Sequence, residues 1–420
     1  MKHQLLFELL KTAIGQRKVL SAVPSAKEWE AIYGLLSKHT LLGIGFVAIQ
    51  KLPEEQWPPK MLVLKWTSVA TAISHQNKTL NEESKSLCEE FRHDGVASVV
   101  IKGQSNLDNY PEELRWYRTP GDIDLWCQAR NGVEIGEMVN GEVVKSEFHG
   151  IAGVIEYCKQ YERCRGRDIP WHRVLYYHCE LKSDNGIAIE PHYRISYLHS
   201  PVRNHRLQKW FKNQFDVCLQ NKCSLGFPVL TSSVNVVYQL VHLYRHVFEG
   251  GVGLRQLMDY YFALRVWHND VMECKDLQSQ GMWSEGLGTA VMSKEEVMAV
   301  LRSFGMTRFA AAVMYVLHEV FSMPKRQLIT DERLLITDGP WLLCEPNEKE
   351  GKKLLEEIMK GGNFGQYDER GKEFKNGGMV KHGVWKLKRV MRLVSSYPEE
   401  ALWEPVFRVW HLGWRMLKGY

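Results

Sequence analysis

The sequence predicts an α+β fold, with a small mixed sheet flanked by helical N-terminal and C-terminal regions. Three observations predict it. Apolar residues recur at helical spacing through residues 1–92. Short β-branched or alternating runs then appear at Val96 to Ile101, at Ile123 to Leu125, and on both sides of Asn185-Gly186. From about Thr231 the spacing is helical again. The expected regions are therefore 1–92, helical; 93–228, sheet-bearing; and 229–420, helical.

Leu5, Leu6, Leu9 and Leu10 form a first apolar stripe, and Trp29, Ile32, Leu35 and Leu36 a second. Ser25 stands three residues before Glu28, the spacing of a capping box. A proline-rich break from Leu52 to Pro59 precedes a long helical pattern from Lys60 to Arg92. Val96 to Ile101 reads as a buried strand ending at Lys102-Gly103. Ile123 and Leu125 alternate with Asp122 and Asp124, which predicts a second strand. Val174 to Lys182 and Gly186 to Ile195 flank Ser183-Asp184-Asn185-Gly186, a hairpin signal, so at least four strands are expected. Pro191 marks an edge or a bulge in its strand.

Ser232 or Ser233 caps a helix carrying Val236, Leu240, Leu243 and Val247. Further helical patterns cover Lys294 to Phe304, Thr307 to Phe321, Lys352 to Met359 and Val384 to Val394, with a loop from Gly361 to Gly378. Trp403, Phe407, Trp410, Trp414 and Leu417 follow a helical apolar seam, expected to dock on the protein's own helical domain rather than on a membrane or a partner.

Composition excludes several classes. A hydrophobic fraction of 45% and a charged fraction of 25% suit a globular chain, not a disordered one. The net charge of +5 is too small for a dedicated polyanion binder and carries no strong nucleic-acid signature. Nine cysteines without a C-x-x-C pair argue against zinc and for a reducing compartment. No apolar run approaches the roughly 20 residues of a membrane span. A cytoplasmic location is expected.

Asp122-Ile123-Asp124-Leu125 carries the most chemistry. On a strand, residues i and i+2 share a face, so the carboxylates project together while Ile123 and Leu125 enter the core. Like charges held that close repel and raise each other's pKa, and a hard divalent cation relieves the repulsion. By itself the pair is equally compatible with a solvated strand edge. Lys102, Gly103 and Ser105 follow the first strand, where a glycine lets backbone N–H groups approach phosphate and a lysine adds charge. Arg118 stands four residues before Asp122, and Glu190 shares a strand face with His192. Three carboxylates on neighbouring strands are what two-metal phosphoryl transfer requires.

The stretch from Ile101 to Leu125 resembles the nucleotidyltransferase superfamily typified by DNA polymerase beta. In particular it is similar to an uncharacterised bacterial nucleotidyltransferase family reading K-G, R-x-x-G-D-I-D-L and E-x-H-[WY]-R. Here these are Lys102-Gly103, Arg118 through Gly121 to Leu125, and Glu190-Pro191-His192-Tyr193-Arg194. The likeness extends to His242-Leu243-Tyr244-Arg245-His246 and on to Gly250, Leu254, Arg255 and Asp259. It implies a nucleotidyltransferase-type sheet, with Asp122, Asp124 and Glu190 as catalytic metal ligands for Mg²⁺ or Mn²⁺. It implies that Lys102, Gly103, Ser105 and Arg118 serve the nucleotide, with an NTP such as ATP as donor and an unidentified acceptor. Two departures stand out: Gln104 separates Gly103 from Ser105, and eighteen residues separate Gly103 from Asp122.

His242 and His246 share a helix face, but no glutamate follows His242, so packing or second-shell hydrogen bonding is expected rather than a metalloprotease site. His178 and His192 are candidates for the same supporting role. Arg255 and Asp259 are spaced for an intrahelical ion pair. The rival readings are a D-x-D glycosyltransferase using a sugar nucleotide, which leaves Glu190 without a task, and an inactive descendant that binds a nucleotide or a partner.

Overall fold

The computed structural model describes residues 3–130, 132–139, 142–279, 291–323, 342–369 and 378–418. The chain divides into two compact units: Met1–Asn77 with Asn109–Thr119 and Asn235–Pro398, and Lys78–Asp108 with Pro120–Val234 and Glu399–Tyr420.

The second unit holds the sheet. Its strands are β1 (Val96–Val100), β2 (Ile123–Ala129), β3 (Val133–Val139), β4 (Glu142–Phe148), β5 (Leu181–Lys182) and β6 (Ala188–His192). A four-stranded sheet runs in the order β1-β2-β6-β5, and β3 and β4 form a separate hairpin. β2 is antiparallel to β1 and parallel to β6, which makes the sheet mixed. The α+β class read from the sequence is the class observed.

Alternation along β2 sorts its side chains. Ile123, Leu125, Cys127 and Ala129 enter a core with Leu87 and Phe91 from the end of the helix Lys60–His93 and with Ile155, Cys158 and Tyr161 from the helix Gly150–Cys164. The opposite face carries Asp124 and Trp126. The Trp126 ring packs edge-on to Phe211 and Phe215 of the helix Pro201–Gln220, at 6.1 and 4.8 Å. Asp124 thus lies on the face away from the apolar core.

Two strand expectations need correction. Val174 to Lys182 is not a continuous strand. It makes isolated bridges, Val174 with Cys179 and His178 with His192, before the two-residue β5. Pro191 lies in β6, an interior strand by sheet order. β5 pairs only with Ala188 and Ile189, so beside Pro191 the regular ladder has given way to the bridged segment, and Cys179 N–H donates to the Pro191 carbonyl at 3.1 Å. The Ser183 to Gly186 turn forms as expected, with Gly186 at φ +76°. The β3–β4 hairpin and the helices Gly150–Cys164 and Pro201–Gln220 were not legible in the sequence pattern.

The C-terminal helix Pro398–Lys418 packs from Glu399 onward within the sheet-bearing second unit, not on the helical domain as expected. Phe407, Trp410 and Trp414 surround the Tyr176 ring at 5.4, 5.5 and 6.2 Å, and Phe407 stacks on Tyr197 at 4.9 Å. Only part of the seam is used, since Trp403 is 39% and Leu417 89% exposed. The buried Glu400 accepts the backbone N–H of Ser200 at 3.4 Å and pairs with the His199 ring at 2.9 Å.

The first unit is helical. Ser25 closes the expected capping box with Glu28 ahead of the helix Ala26–Lys38. The Trp29 and Tyr33 rings meet Trp66 edge-on at 6.3 and 5.1 Å. The helices Lys294–Ser303, Thr307–Phe321 and Glu348–Gly361 follow the predicted patterns within a few residues, Gly378–Leu393 begins well before the expected Val384, and Leu254–Ser279 is a long helix of which the sequence marked only Arg255 and Asp259. Residues 370–377 of the expected Gly361 to Gly378 loop lie outside the described residues. No described helix is long and apolar enough to cross a membrane.

Candidate active site

The site is built where β1 ends and β2 and β6 run side by side. In their parallel register Asp124 is opposite Glu190, which places one carboxylate beside the other. Asp122 immediately precedes β2. Ligand oxygens of Asp122, Asp124 and Glu190 lie within 4.8 Å of one another. Asp124 is completely buried and its Oδ2 has no hydrogen-bond partner, while the Glu190 side chain is 22% exposed. A buried, unpaired carboxylate oxygen in a three-carboxylate group is costly unless a cation takes it up, and all-oxygen donors suit Mg²⁺ or Mn²⁺. The residues fit a divalent ion.

Lys102 comes from the chain leaving β1, held in place where Ile101 N–H donates to the Asp124 carbonyl at 3.1 Å. Its Nζ stands 2.7 Å from Asp124 Oδ1 and 3.8 Å from Glu190 Oε2. His192 Nε2 lies 3.0 Å from Asp124 Oδ1 and 3.3 Å from Glu190 Oε2. A cation and an imidazole therefore converge on the carboxylates.

Charge states follow from these neighbours. Burial raises the Asp124 carboxyl, to about 7, with the charges of Asp122 and Glu190 pushing the same way and Lys102 and His192 opposing. Glu190 moves in the other direction. Burial pushes it up, but Lys102 and the imidazoles of His192 and His178 outweigh burial and hold it well below the usual carboxylate range. Burial lowers His192, yet its hydrogen bonds to Asp124 and Glu190 raise it overall.

Gly103 opens a 3-10 segment, Gly103–Asn109, at φ +61°, and a Cβ there would stand 3.3 Å from the Asp122 carbonyl oxygen. Glycine lets the chain turn beside the first carboxylate. The extra residue Gln104 turns away: its amide donates to Asn81 at 2.9 Å, and both are buried. Ser105 is 7% exposed, and its Oγ is buried without a hydrogen-bond partner. The long interval before Asp122 also has a structural cause. The chain leaves this unit after Asp108, contributes 109–119 to the other unit and returns at Pro120.

Arg118 belongs to that excursion. Its Nε and Nη2 donate to Asp259 at 2.6 and 2.8 Å, Tyr110 donates its hydroxyl to the same carboxylate at 2.7 Å, and all three are buried. Burial lowers the Arg118 pKa, but Asp259 raises it overall. The ion pair of Asp259 thus runs to Arg118 rather than along its own helix, and Arg255 donates to the Thr119 carbonyl at 2.8 Å. His242 and His246 stack edge-on at 4.2 Å in the first unit, and His246 packs on Phe364 at 4.9 Å. His178, in contrast, is beside the carboxylates, 3.8 Å from Glu190 Oε1.

Lys102 as a direct partner of Asp124 was missed from sequence, whereas His192 had been a candidate for a supporting role, without Asp124 as its partner. The K-G dipeptide at a strand end and the i, i+2 spacing of Glu190 and His192 were the available signals. No curated protein and no solved structure matches the chain. The family model described as uncharacterised nucleotidyltransferase matches residues 25–281, more than half of the sequence and all of the carboxylate site, and the chain belongs to that family.

Proposed function

We propose that the protein transfers a nucleoside monophosphate from an NTP to an acceptor hydroxyl, using divalent ions held by Asp122, Asp124 and Glu190. The observation that carries this reading is the pairing of Asp124 with Glu190 across β2 and β6, with Asp122 completing the group. Divalent ions bound there supply charge neutralisation for the triphosphate and lower the pKa of the attacking hydroxyl. The chain's own residues do the rest. The carboxylates fix the ions on a rigid strand pair. Gly103 brings backbone close to Asp122, and Ser105 and Lys102 offer a hydroxyl and an ammonium to phosphate oxygens. His192 positions Asp124 and Glu190 through its contacts with both. Arg118 is held by Asp259 within its own unit. The acceptor oxygen forms its bond to the α-phosphorus as the bond to pyrophosphate breaks.

Calorimetric titration of each NTP with and without Mg²⁺, on the wild type and on Asp124→Asn, tests the reading. Metal-dependent binding that disappears in the variant supports it. Binding that ignores both the metal and the substitution refutes it.

A further inference from the structure

Glu190 faces two different groups. Through Oε2 it meets Lys102, at 3.8 Å, on the side of Asp124. Through Oε1 it meets His178 Nε2, also at 3.8 Å. His178 and His192 are partners in an antiparallel bridge, so their side chains stand on one face, with ring centroids 4.9 Å apart. Both imidazoles are nearly fully buried, at 2% and 1% exposure. Tyr177 packs on both rings, at 4.1 and 5.4 Å. Ligand atoms of His178, Glu190 and His192 lie within 4.8 Å of one another.

The geometry points to a second cation site at His178, His192 and Glu190, which takes a borderline first-row ion of the Zn²⁺ or Co²⁺ type. Two donors bound at about 2.1 Å to one tetrahedral ion stand about 3.4 Å apart. Glu190 Oε2 stands 3.3 Å from His192 and Oε1 stands 3.8 Å from His178, and one donor atom of each residue lies within 4.8 Å of the others, so a bound ion draws the three donors inward. The 3.8 Å gap is too long for a hydrogen bond. Two imidazoles and one carboxylate favour Zn²⁺ or Co²⁺ over Mg²⁺, which prefers oxygen donors. Asp124 Oδ1, 3.0 Å from His192 Nε2, gives up that contact to the ion. The inference deepens the nucleotidyl-transfer reading, since Glu190 serves both sites, but it does not use Asp122.

The test loads the full-length protein with Co²⁺ and records its ligand-field absorption. Pulsed electron paramagnetic resonance of the same Co²⁺-loaded wild type looks for ¹⁴N modulation. The site predicts imidazole nitrogen coupling in the wild type, and Co²⁺ bands that Zn²⁺ displaces. It predicts that Asp122→Asn keeps the bands, and that His178→Gln loses them, with Zn²⁺ affinity falling by at least about tenfold. Absence of nitrogen coupling in the wild type overturns the site without requiring any variant to fold. Co²⁺ bands unchanged in a folded His178→Gln overturn it as well. The two readings fail separately: Mg²⁺-dependent NTP binding that survives Asp122→Asn removes the transferase reading and leaves the imidazole site standing.

Discussion

Lys102 Nζ lies 2.7 Å from Asp124 Oδ1, so the ammonium and a divalent ion draw on the charge of the same buried carboxylate. Replacing Lys102 with Met therefore has two opposite effects. At pH 9, above the range in which protons occupy Asp124, removing the competing cation moves the Mg²⁺ titration midpoint to lower concentration. Loss of the phosphate-directed charge weakens NTP binding by about tenfold or more. Calorimetry of metal and nucleotide separately reads both changes, and a parallel weakening of the two would contradict the competition.

Asp124 also sets a pH dependence. Its folded pKa is about 7 and its ordinary value 3.8, so the folded state holds a proton that the unfolded chain has released. The sign follows: in the metal-free protein, stability associated with this group is present below about pH 4 and is lost as pH rises through about 7. Asp124→Asn flattens that part of the profile. Thermal melts in EDTA from pH 5 to pH 9 measure it. With Mg²⁺ present the ion replaces the proton, so the wild type regains stability toward the alkaline end.

The three carboxylates were legible in sequence because their signals are local. D-x-D places two acids on one strand face, and E-x-H places Glu190 and His192 on another. Which strands lie together was not legible. Asp124 meets Glu190 only after the chain has passed through the β3–β4 hairpin and the helix Gly150–Cys164, and His192 is 68 residues from Asp124. The hairpin escaped because its alternation is weak: Val133 to Val139 carries Gly136 and acids at Glu134 and Glu137. Arg118 shows the same limit. Its partner Asp259 is 141 residues away, and helical spacing offered Arg255 instead.

Gly103→Ala places a side chain at φ +61° and a Cβ 3.3 Å from the Asp122 carbonyl oxygen. The left-handed conformation alone costs about 1–2 kcal/mol. The expected outcome is a folded protein with a lower melting temperature and weaker NTP binding, because relief of the contact shifts Asp122. Unchanged nucleotide affinity in calorimetry would show that Asp122 is not sensitive to this turn.

The Arg118–Asp259 pair is a prediction about stability. Its side chains are 4% and 7% exposed, so Asp259→Ala strands a buried guanidinium and costs about 3–5 kcal/mol in chemical denaturation. The double variant Arg118→Met with Asp259→Leu removes both charges and recovers a large part of the loss. Additive losses in the double variant would contradict the pairing.

The central claim is transfer of the α-phosphoryl group with its nucleoside, and position-specific labelling tests it most directly. NTPs labelled at the α- or the γ-phosphorus are incubated with Mg²⁺, the protein and fractionated small-molecule and macromolecular acceptors, alongside Asp124→Asn. The account predicts that the α label moves to an acceptor, that the γ label leaves as pyrophosphate, and that both events vanish in the variant. Movement of the γ label to the acceptor, or α-label transfer undiminished in Asp124→Asn, would contradict it.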